Sequence, residues 1–163
     1  MGVEIRTDRH EDAFNVRRRV FMEEQGYTDE FDAIDDDSRC IHVTLYVDGE
    51  LAGCSRIFPE PLECAEAPDA PQSPASSFDE GIASDAVYLL GRVAVLPEFR
   101  RRGLASSIVQ ASEHAAQAAG AQVVKLHAQE YVQSLYAKEG YEQIAPVDYE
   151  DEGQPHVWMA KKL

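Results

Sequence analysis

One stretch of the chain, residues 93–106, constrains its fold more than any other. It reads Val-Ala-Val-Leu-Pro-Glu-Phe-Arg-Arg-Arg-Gly-Leu-Ala-Ser, so an apolar β-branched run stops at a proline and is followed by three arginines and a glycine. Residues 105–119 then contain neither glycine nor proline. This pattern predicts a strand that ends in a tight basic turn and leads directly into a helix, a unit typical of mixed α/β folds.

The predicted turn has the properties of an anion-binding site. The first N–H groups of a helix have no partner within the helix, and that end carries a partial positive charge. Gly103 permits a positive φ and a close approach of the backbone, while Arg100, Arg101 and Arg102 add phosphate donors. The glycine-rich nucleotide motifs G-x-x-x-x-G-K-[ST] and G-x-G-x-x-G do not occur in the sequence. We therefore predict a pyrophosphate cradle built from this turn.

Two segments resemble the GCN5-related N-acetyltransferase (GNAT) family. The Arg-x-x-Gly-x-Ala motif at residues 100–105, after Val-Ala-Val-x-Pro, resembles its acyl-CoA signature, and residues 134–141 resemble its Leu-Tyr-x-x-x-Gly-Phe/Tyr segment. Residues 20–26 and 151–157 resemble the ElaA-like branch of the family. The resemblance implies that the chain transfers an acetyl group from acetyl-CoA, as cosubstrate, to a primary amine of a small molecule or peptide. In the family, the amine attacks directly in a ternary complex.

The resemblance also indicates which residues bind the cofactor. Val93, Ala94 and Val95 form the strand along which the pantetheine arm lies in the family, and the N–H near Val95 is the expected donor to the thioester oxygen. Gln129 stands where relatives often carry an asparagine, so it is the expected contact of the cofactor amide. The pyrophosphate is expected to lie on the turn and the first helical turn, which consist of Arg100, Arg101, Arg102, Gly103, Leu104, Ala105 and Ser106.

The catalytic residues are less clearly marked in the sequence. Tyr136 matches the family's tyrosine at this position, and a phenol with a pKa of about 10 can protonate a leaving thiolate whose pKa is about 8.5. The alternative is that Tyr136 is a core aromatic on a short helix. The amine must also lose a proton, and the candidate bases are His127 at the end of a strand, then Glu24 after the first helix, then Glu130. The sequence assigns no role to His156.

Charge and composition restrict the class of protein. Fifteen basic against 30 acidic residues give a net charge of −15, which repels nucleic acid and anionic membranes. The acidity suits a cationic amine substrate, although solubility alone also explains it. The three cysteines and five histidines show no ligand spacing, so we predict no metal site. With neither a membrane span nor a signal-like N-terminus in the sequence, we expect a cytoplasmic protein, and the resemblance leaves a homodimer open.

The predicted elements follow the order β-α-β-β-loop-β-α-β-α-β-β, with a first helix from about residue 8 to residue 25. We expect one α/β domain over residues 1–163. The resemblance implies a mixed α+β layer fold whose mostly antiparallel sheet has about six to seven strands, is splayed at the cofactor site and is flanked by helices. Residues 59–86 contain five prolines and no Lys or Arg, which predicts a flexible acidic insertion. This insertion either is merely tolerated or lies over the site.

Two other functions fit the same residues. The absence of an obvious base motivates a non-catalytic acyl-CoA-binding regulatory domain, which would bind the cofactor without turnover. The acidic loops motivate a protein-interaction module, whose thermal stability would not depend on acetyl-CoA.

Overall fold

The computed structural model describes residues 2–163, which build an open sheet with helices packed against it. The strands are β1 (Val3–Arg6), β2 (Ile41–Val47), β3 (Glu50–Pro59), β4 (Val87–Val95), β5 (Val123–Gln129), β6 (Glu142–Gln143), β7 (Asp148–Asp151) and β8 (Gln154–Lys162). The α-helices are α1 (His10–Arg17), α2 (Pro61–Glu66), α3 (Leu104–Ala118) and α4 (Gln133–Lys138).

The strand order is β1-β2-β3-β4-β5-β8-β6, with β7 attached to β8. The β4–β5 pair is parallel and the other pairs are antiparallel. This topology confirms the predicted mixed α/β fold with a mostly antiparallel sheet. The sheet has eight strands instead of six to seven, because the predicted order has two strands after the last helix and the structure forms three there, β6, β7 and β8. Within residues 2–163, no helix combines the length and the hydropathy needed to cross a membrane.

The sheet opens between its two parallel strands. The β4–β5 pairing runs from Val87 to Leu90 on β4 and ends there, although β4 continues to Val95. Strand β5 remains paired with β8 up to the end of β5 at Gln129. On its other side, β4 carries a β-bulge, where its register against β3 shifts and Arg92 takes a φ of 53°. The strands therefore diverge after Leu90, which confirms the predicted splay and creates a wedge-shaped opening.

The helices cover the two faces of this sheet. Consecutive residues of a strand point to opposite faces, so Leu89 and Leu90 belong to different clusters. Leu90 packs in the cluster that contains Val109 of α3, while Leu89 packs with Leu62 of α2. The start of α3 and helix α1 share a third cluster with the inner side chains of β2, β3 and the end of β4. These contacts hold the start of α3 directly behind the wedge.

The first predicted helix differs from the observed one in its second half. Helix α1 ends at Arg17, and residues Arg18–Glu24 continue as a π-helix that includes the bond from the Gln25 amide to the Val20 carbonyl, 3.0 Å long. Gly26 follows with a φ of 80°, a left-handed conformation that commonly ends helices. The wider π-helical turns are frequent at functional sites. Here they end at Glu24, whose carboxylate accepts from Arg100 of the basic turn.

The acidic insertion, residues 59–86, is tied to the sheet by one buried lysine. It contains α2 and two 3₁₀ turns. The Nζ atom of Lys125, a fully buried β5 residue, donates to Glu60 at 2.9 Å, to Asp79 at 2.8 Å and to the Pro74 carbonyl at 2.9 Å. These bonds join the two ends of the insertion to the middle of β5. Its predicted flexibility stays a prediction, to be tested by proteolysis.

Candidate active site

The wedge between β4 and β5 opens into a cleft of about 740 Å³. Its floor is formed by residues 90–95 of β4 and residues 126–129 of β5. Its walls come from the basic turn and first turn of α3, from α4 and from the end of the π-helix. None of residues 59–86 lines the cleft, so in this structure the insertion does not lie over the site.

The basic turn presents unpaired backbone amides to this cleft. A 3₁₀ turn, Pro97–Phe99, follows β4, and Arg101 and Gly103 then both adopt left-handed conformations, with φ of 65° and 73°. Helix α3 begins at Leu104, one residue before the predicted start. Among the described residues, the backbone amides from Arg101 to Ser106 find no hydrogen-bond acceptor. A Cβ on Gly103 would meet nothing within 4 Å, so the positive φ, and not crowding, favours glycine there.

The three arginines of the turn have different environments. Arg100 donates to both carboxylate oxygens of Glu24, at 2.7 and 2.6 Å, and to the Val95 carbonyl at 2.9 Å. Arg102 lies over the ring of Phe99, with 5.4 Å from its guanidinium carbon to the ring centroid, and lies outside the cleft lining. Arg101 lines the cleft and forms no ion pair within residues 2–163. Arg101 is therefore the one of the three that both lines the cleft and has no ion pair in the described chain.

The end of β4 turns a backbone amide toward the wedge. The Leu96 amide donates to the Ala52 carbonyl of β3 at 2.8 Å. Because neighbouring residues of a strand direct their backbone groups to opposite sides, the N–H and C=O of Val95 face away from β3, where β5 has diverged. The carbonyl is used by Arg100. The Val95 amide is left as a donor that faces the cleft, as the sequence predicted.

Tyr136 lies on α4 and lines the same cleft. Its side chain is largely buried, and its ring makes an edge contact with Tyr141 at 6.1 Å between centroids. The Tyr136 hydroxyl donates to no acceptor in the described part of the chain. Burial raises the pKa of this phenol above its usual value, so it remains protonated at any physiological pH and can act as a donor.

His127, the first candidate base, is held by an aspartate that the sequence did not indicate. Its Nε2 atom lies 3.0 Å from each carboxylate oxygen of Asp148. The ring is stacked between His156, at 4.7 Å between centroids, and Trp158, at 4.4 Å. Burial lowers the pKa of His127, while Asp148 acts in the opposite direction. The imidazole is therefore neutral near pH 7 and retains a lone pair for a proton.

The other candidate bases are less suitably placed. The hydrogen bond from Arg100 lowers the pKa of Glu24, and this pair lies beside the basic turn, so Glu24 is already engaged by a cation. Glu130 is exposed and does not line the cleft. Gln129 does line it, and its side-chain amide donates to the Tyr27 hydroxyl at 3.1 Å and to Gln25 at 3.3 Å.

A buried ion network behind the β4 bulge was also missed from the sequence. It joins three arginines and three carboxylates: Arg17, Arg56, Arg92, Glu30, Asp32 and Asp35. Arg17 contacts Glu30 at 2.8 Å and Asp35 at 2.7 Å, which folds the acidic loop after the π-helix onto the sheet. The sequence could have indicated this network by Arg56 and Arg92, which lie within the apolar strands β3 and β4, together with the acidic loop upstream of them. The network pairs three positive with three negative charges, so the net charge of −15 lies on the rest of the chain.

The charges that remain in the cleft are separated by sign. Arg101 and the bare amides lie at the α3 end. Asp29, Asp151 and Glu152 line the cleft as well, and in the described chain the one basic side chain within 4 Å of their carboxylates is His156, 3.7 Å from Asp151. The cleft therefore offers one end to an anion and another part to a cation.

One cluster of metal-ligand types was found among residues 2–163, and it is poorly suited to a cation. Asp35, Cys40 and His42 place one ligand atom each within 4.8 Å of one another. The Asp35 carboxylate already accepts from Arg17 and Arg56, whose positive charges oppose a metal ion. Burial raises the pKa of the Cys40 thiol to about 12, so it is not a thiolate.

Comparisons with known proteins agree with this geometry. A sequence model of a family described as the acetyltransferase (GNAT) family matches residues 4–141. The uncharacterized protein YyaT of Bacillus subtilis (strain 168) is 30% identical over 159 residues, which cover 96% of this chain and 90% of that protein. Escherichia coli ElaA has a similar structure, with a TM-score of 0.73 and 20% identity over 98% of this chain and 99% of ElaA. An aminoglycoside 6'-N-acetyltransferase solved with coenzyme A gives a TM-score of 0.66 and 14% identity over 99% and 97%.

Proposed function

Because this chain belongs to the acetyltransferase (GNAT) family, we propose that it transfers the acetyl group of acetyl-CoA to a primary amine by direct attack in a ternary complex. The observation that carries the proposal is the row of unpaired amides from Arg101 to Ser106, which opens onto the wedge between β4 and β5. A row of donors at a helix start suits a diphosphate, and the wedge beside it suits an extended acyl carrier. The similar aminoglycoside acetyltransferase was solved with coenzyme A.

Cofactor binding would divide among three groups of residues. The diphosphate would lie on the turn amides with Arg101 as its charged contact, while Arg100 acts indirectly by fixing the turn to Glu24 and Val95. The pantetheine arm would lie along Val93, Ala94 and Val95, whose backbone has no β5 partner. Gln129 lines the cleft opposite this strand, within reach of an amide of the arm.

The chemical step then needs one donor, one acid and one base. The amine nitrogen attacks the thioester carbon, and the Val95 amide would stabilise the oxyanion that develops. The C–S bond breaks, the electron pair goes to sulfur, and Tyr136 would protonate the thiolate. His127 would first accept a proton from the ammonium form of the substrate, which frees the nitrogen lone pair for the attack, and the proton that nitrogen loses as the amide forms would restore the hydroxyl of Tyr136. Each of these groups lines the same cleft.

The cleft favours an amine acceptor because of its charges. An alkylamine has a pKa of about 10.4 and arrives as an ammonium ion. Asp29, Asp151 and Glu152 provide carboxylates in the cleft for such a cation. The two alternative functions are less well supported, since His127, bound to Asp148, can act as a base, and Glu30, Asp32 and Asp35 of the acidic loop at residues 28–39 are bound to internal arginines.

The test is release of free coenzyme A from acetyl-CoA across a panel of monoamines, diamines, aminoglycosides, amino acids and peptides. We expect acetyl-CoA binding in the absence of acceptor and amine-dependent thiol release with at least one class. Failure of millimolar acetyl-CoA to bind would exclude the proposal. Tight binding without turnover on any amine would instead support the regulatory domain.

A further inference from the structure

Asp148 contacts a cleft-lining residue, His127, and neither the sequence nor the family match indicates its role. It begins β7 and pairs with His156 of β8, while Trp158 of β8 pairs with His127 of β5. Strand β8 therefore brings together two side chains that are 21 residues apart. The Asp148 carboxylate accepts from His127 Nε2 and also from the Glu150 amide at 3.2 Å. The second bond orients the carboxylate before any substrate arrives.

We infer that Asp148 is a positioning residue that fixes the tautomer of His127, so that His127 Nδ1 is the atom that accepts the proton of the amine. This inference rests on the proposed function. An ionised carboxylate can only accept hydrogen bonds, so the proton of the neutral imidazole is on Nε2 and the lone pair is on Nδ1. Within residues 2–163, Nδ1 has no hydrogen-bond partner and is not among the fully buried unpaired atoms, and His127 lines the cleft, so Nδ1 is free to accept a proton.

The surroundings of the ring prevent it from exchanging its two nitrogens. His127 is stacked between two flat rings, at interplanar angles of 29° to His156 and 20° to Trp158. Its side chain is 12% exposed and that of Asp148 is 20% exposed. A ring flip would break the bond to Asp148 and place an N–H toward the cleft. Stacking therefore holds the plane of the ring, and Asp148 selects which nitrogen is free.

The charged groups that face His127 come from two neighbouring strands. Asp148 and Asp151 on β7 favour its protonated form, and His156 on β8 disfavours it. Burial is the largest influence and lowers the pKa of His127. Removing the charge of Asp148 therefore lowers this pKa further and weakens the base, in addition to releasing the tautomer.

The first experiment reads the tautomer directly. In protein with ¹⁵N-labelled histidine, the shifts of Nδ1 and Nε2 at neutral pH report which nitrogen carries the proton. We expect Nε2–H in the native protein and a lower His127 pKa in Asp148→Asn. An Nδ1–H tautomer in the native protein, or an unchanged pKa in the variant, would overturn the inference. This measurement needs no activity, so it decides the positioning role even if no amine is acetylated and the proposed function fails.

The second experiment measures kcat/KM against pH for Asp148→Asn, with Asp148→Glu and Glu150→Gln as companions. A general base contributes about 100-fold or more to the rate, and Asp148→Asn should lose part of that contribution, so we expect kcat/KM to decrease by about tenfold. The acidic limb of its pH profile should move to lower pH. Asp148→Glu keeps the carboxylate and should recover part of the rate. Glu150→Gln removes the same charge from the same strand, where the side chain is exposed and outside the cleft. Equal losses in the Asn and Gln variants would refute a specific role for Asp148.

Discussion

Replacing Tyr136 by phenylalanine separates its chemical role from its packing role. The hydroxyl makes no hydrogen bond within the described chain, so its removal breaks no pairing in the fold. The free energy of unfolding should therefore change by less than about 1 kcal/mol, the net value of an ordinary hydrogen bond. Loss of a general acid should lower kcat by about 100-fold, equivalent to about 2.7 kcal/mol of barrier, with little change in the KM for acetyl-CoA.

Tyr141 is the matched control, because its ring packs against that of Tyr136 but lies outside the cleft lining. Its hydroxyl donates to the buried Glu113 carboxylate at 2.8 Å. Tyr141→Phe should therefore lower the free energy of unfolding by about 1–3 kcal/mol and leave kcat unchanged. Urea unfolding and steady-state kinetics on both variants provide the comparison. A Tyr136→Phe enzyme with native kcat, or one that is destabilised as much as Tyr141→Phe, would refute the assignment of Tyr136 as the acid.

Three further predictions concern the turn, the insertion and the acidic loop. Arg101→Gln should weaken coenzyme A binding about tenfold in calorimetry, as for a lost charged hydrogen bond of about 1.5 kcal/mol, whereas Arg102→Gln should change it little; equal effects would mean that neither side chain contacts the diphosphate. Lys125→Met leaves the Glu60 and Asp79 carboxylates without their buried cation, so it should destabilise the fold by about 3–5 kcal/mol and make residues 59–86 sensitive to protease. A variant as resistant to protease as the native protein would contradict the role of Lys125 in holding the insertion. Burial opposes ionisation of Asp35, but its arginine partners outweigh that effect and hold its pKa well below the usual value. The ionised carboxylate therefore stabilises the fold fully above the pKa that it has in the unfolded chain, and this stabilisation is lost as the pH falls below about 4. Replacing Asp35 by Asn should flatten the dependence of Tm on pH in that range.

The sequence by itself determined those features that contiguous residues encode. The strand, the basic turn and the start of α3 follow from a β-branched run, a proline, a glycine and an uninterrupted helical stretch, and the structure places them within one residue of prediction. Gly103 adopts a positive φ, and Tyr136 lies on its short helix at the cleft. Local backbone preferences and side-chain periodicity decide such elements, so one sequence is sufficient to predict them.

Only the tertiary structure decided which charged groups meet, because those pairs depend on strand register and loop path over long separations. Arg100 meets Glu24 across 76 residues, which leaves Arg101 as the arginine of the turn that lines the cleft without an ion pair in the described chain. Lys125, in the middle of β5, holds an insertion that precedes it by about 46 to 65 residues. His127 meets Asp148 only because β8 brings β5 and β7 together. A one-residue slip of that register would turn these side chains to opposite faces of the sheet, and no local pattern in the sequence specifies it.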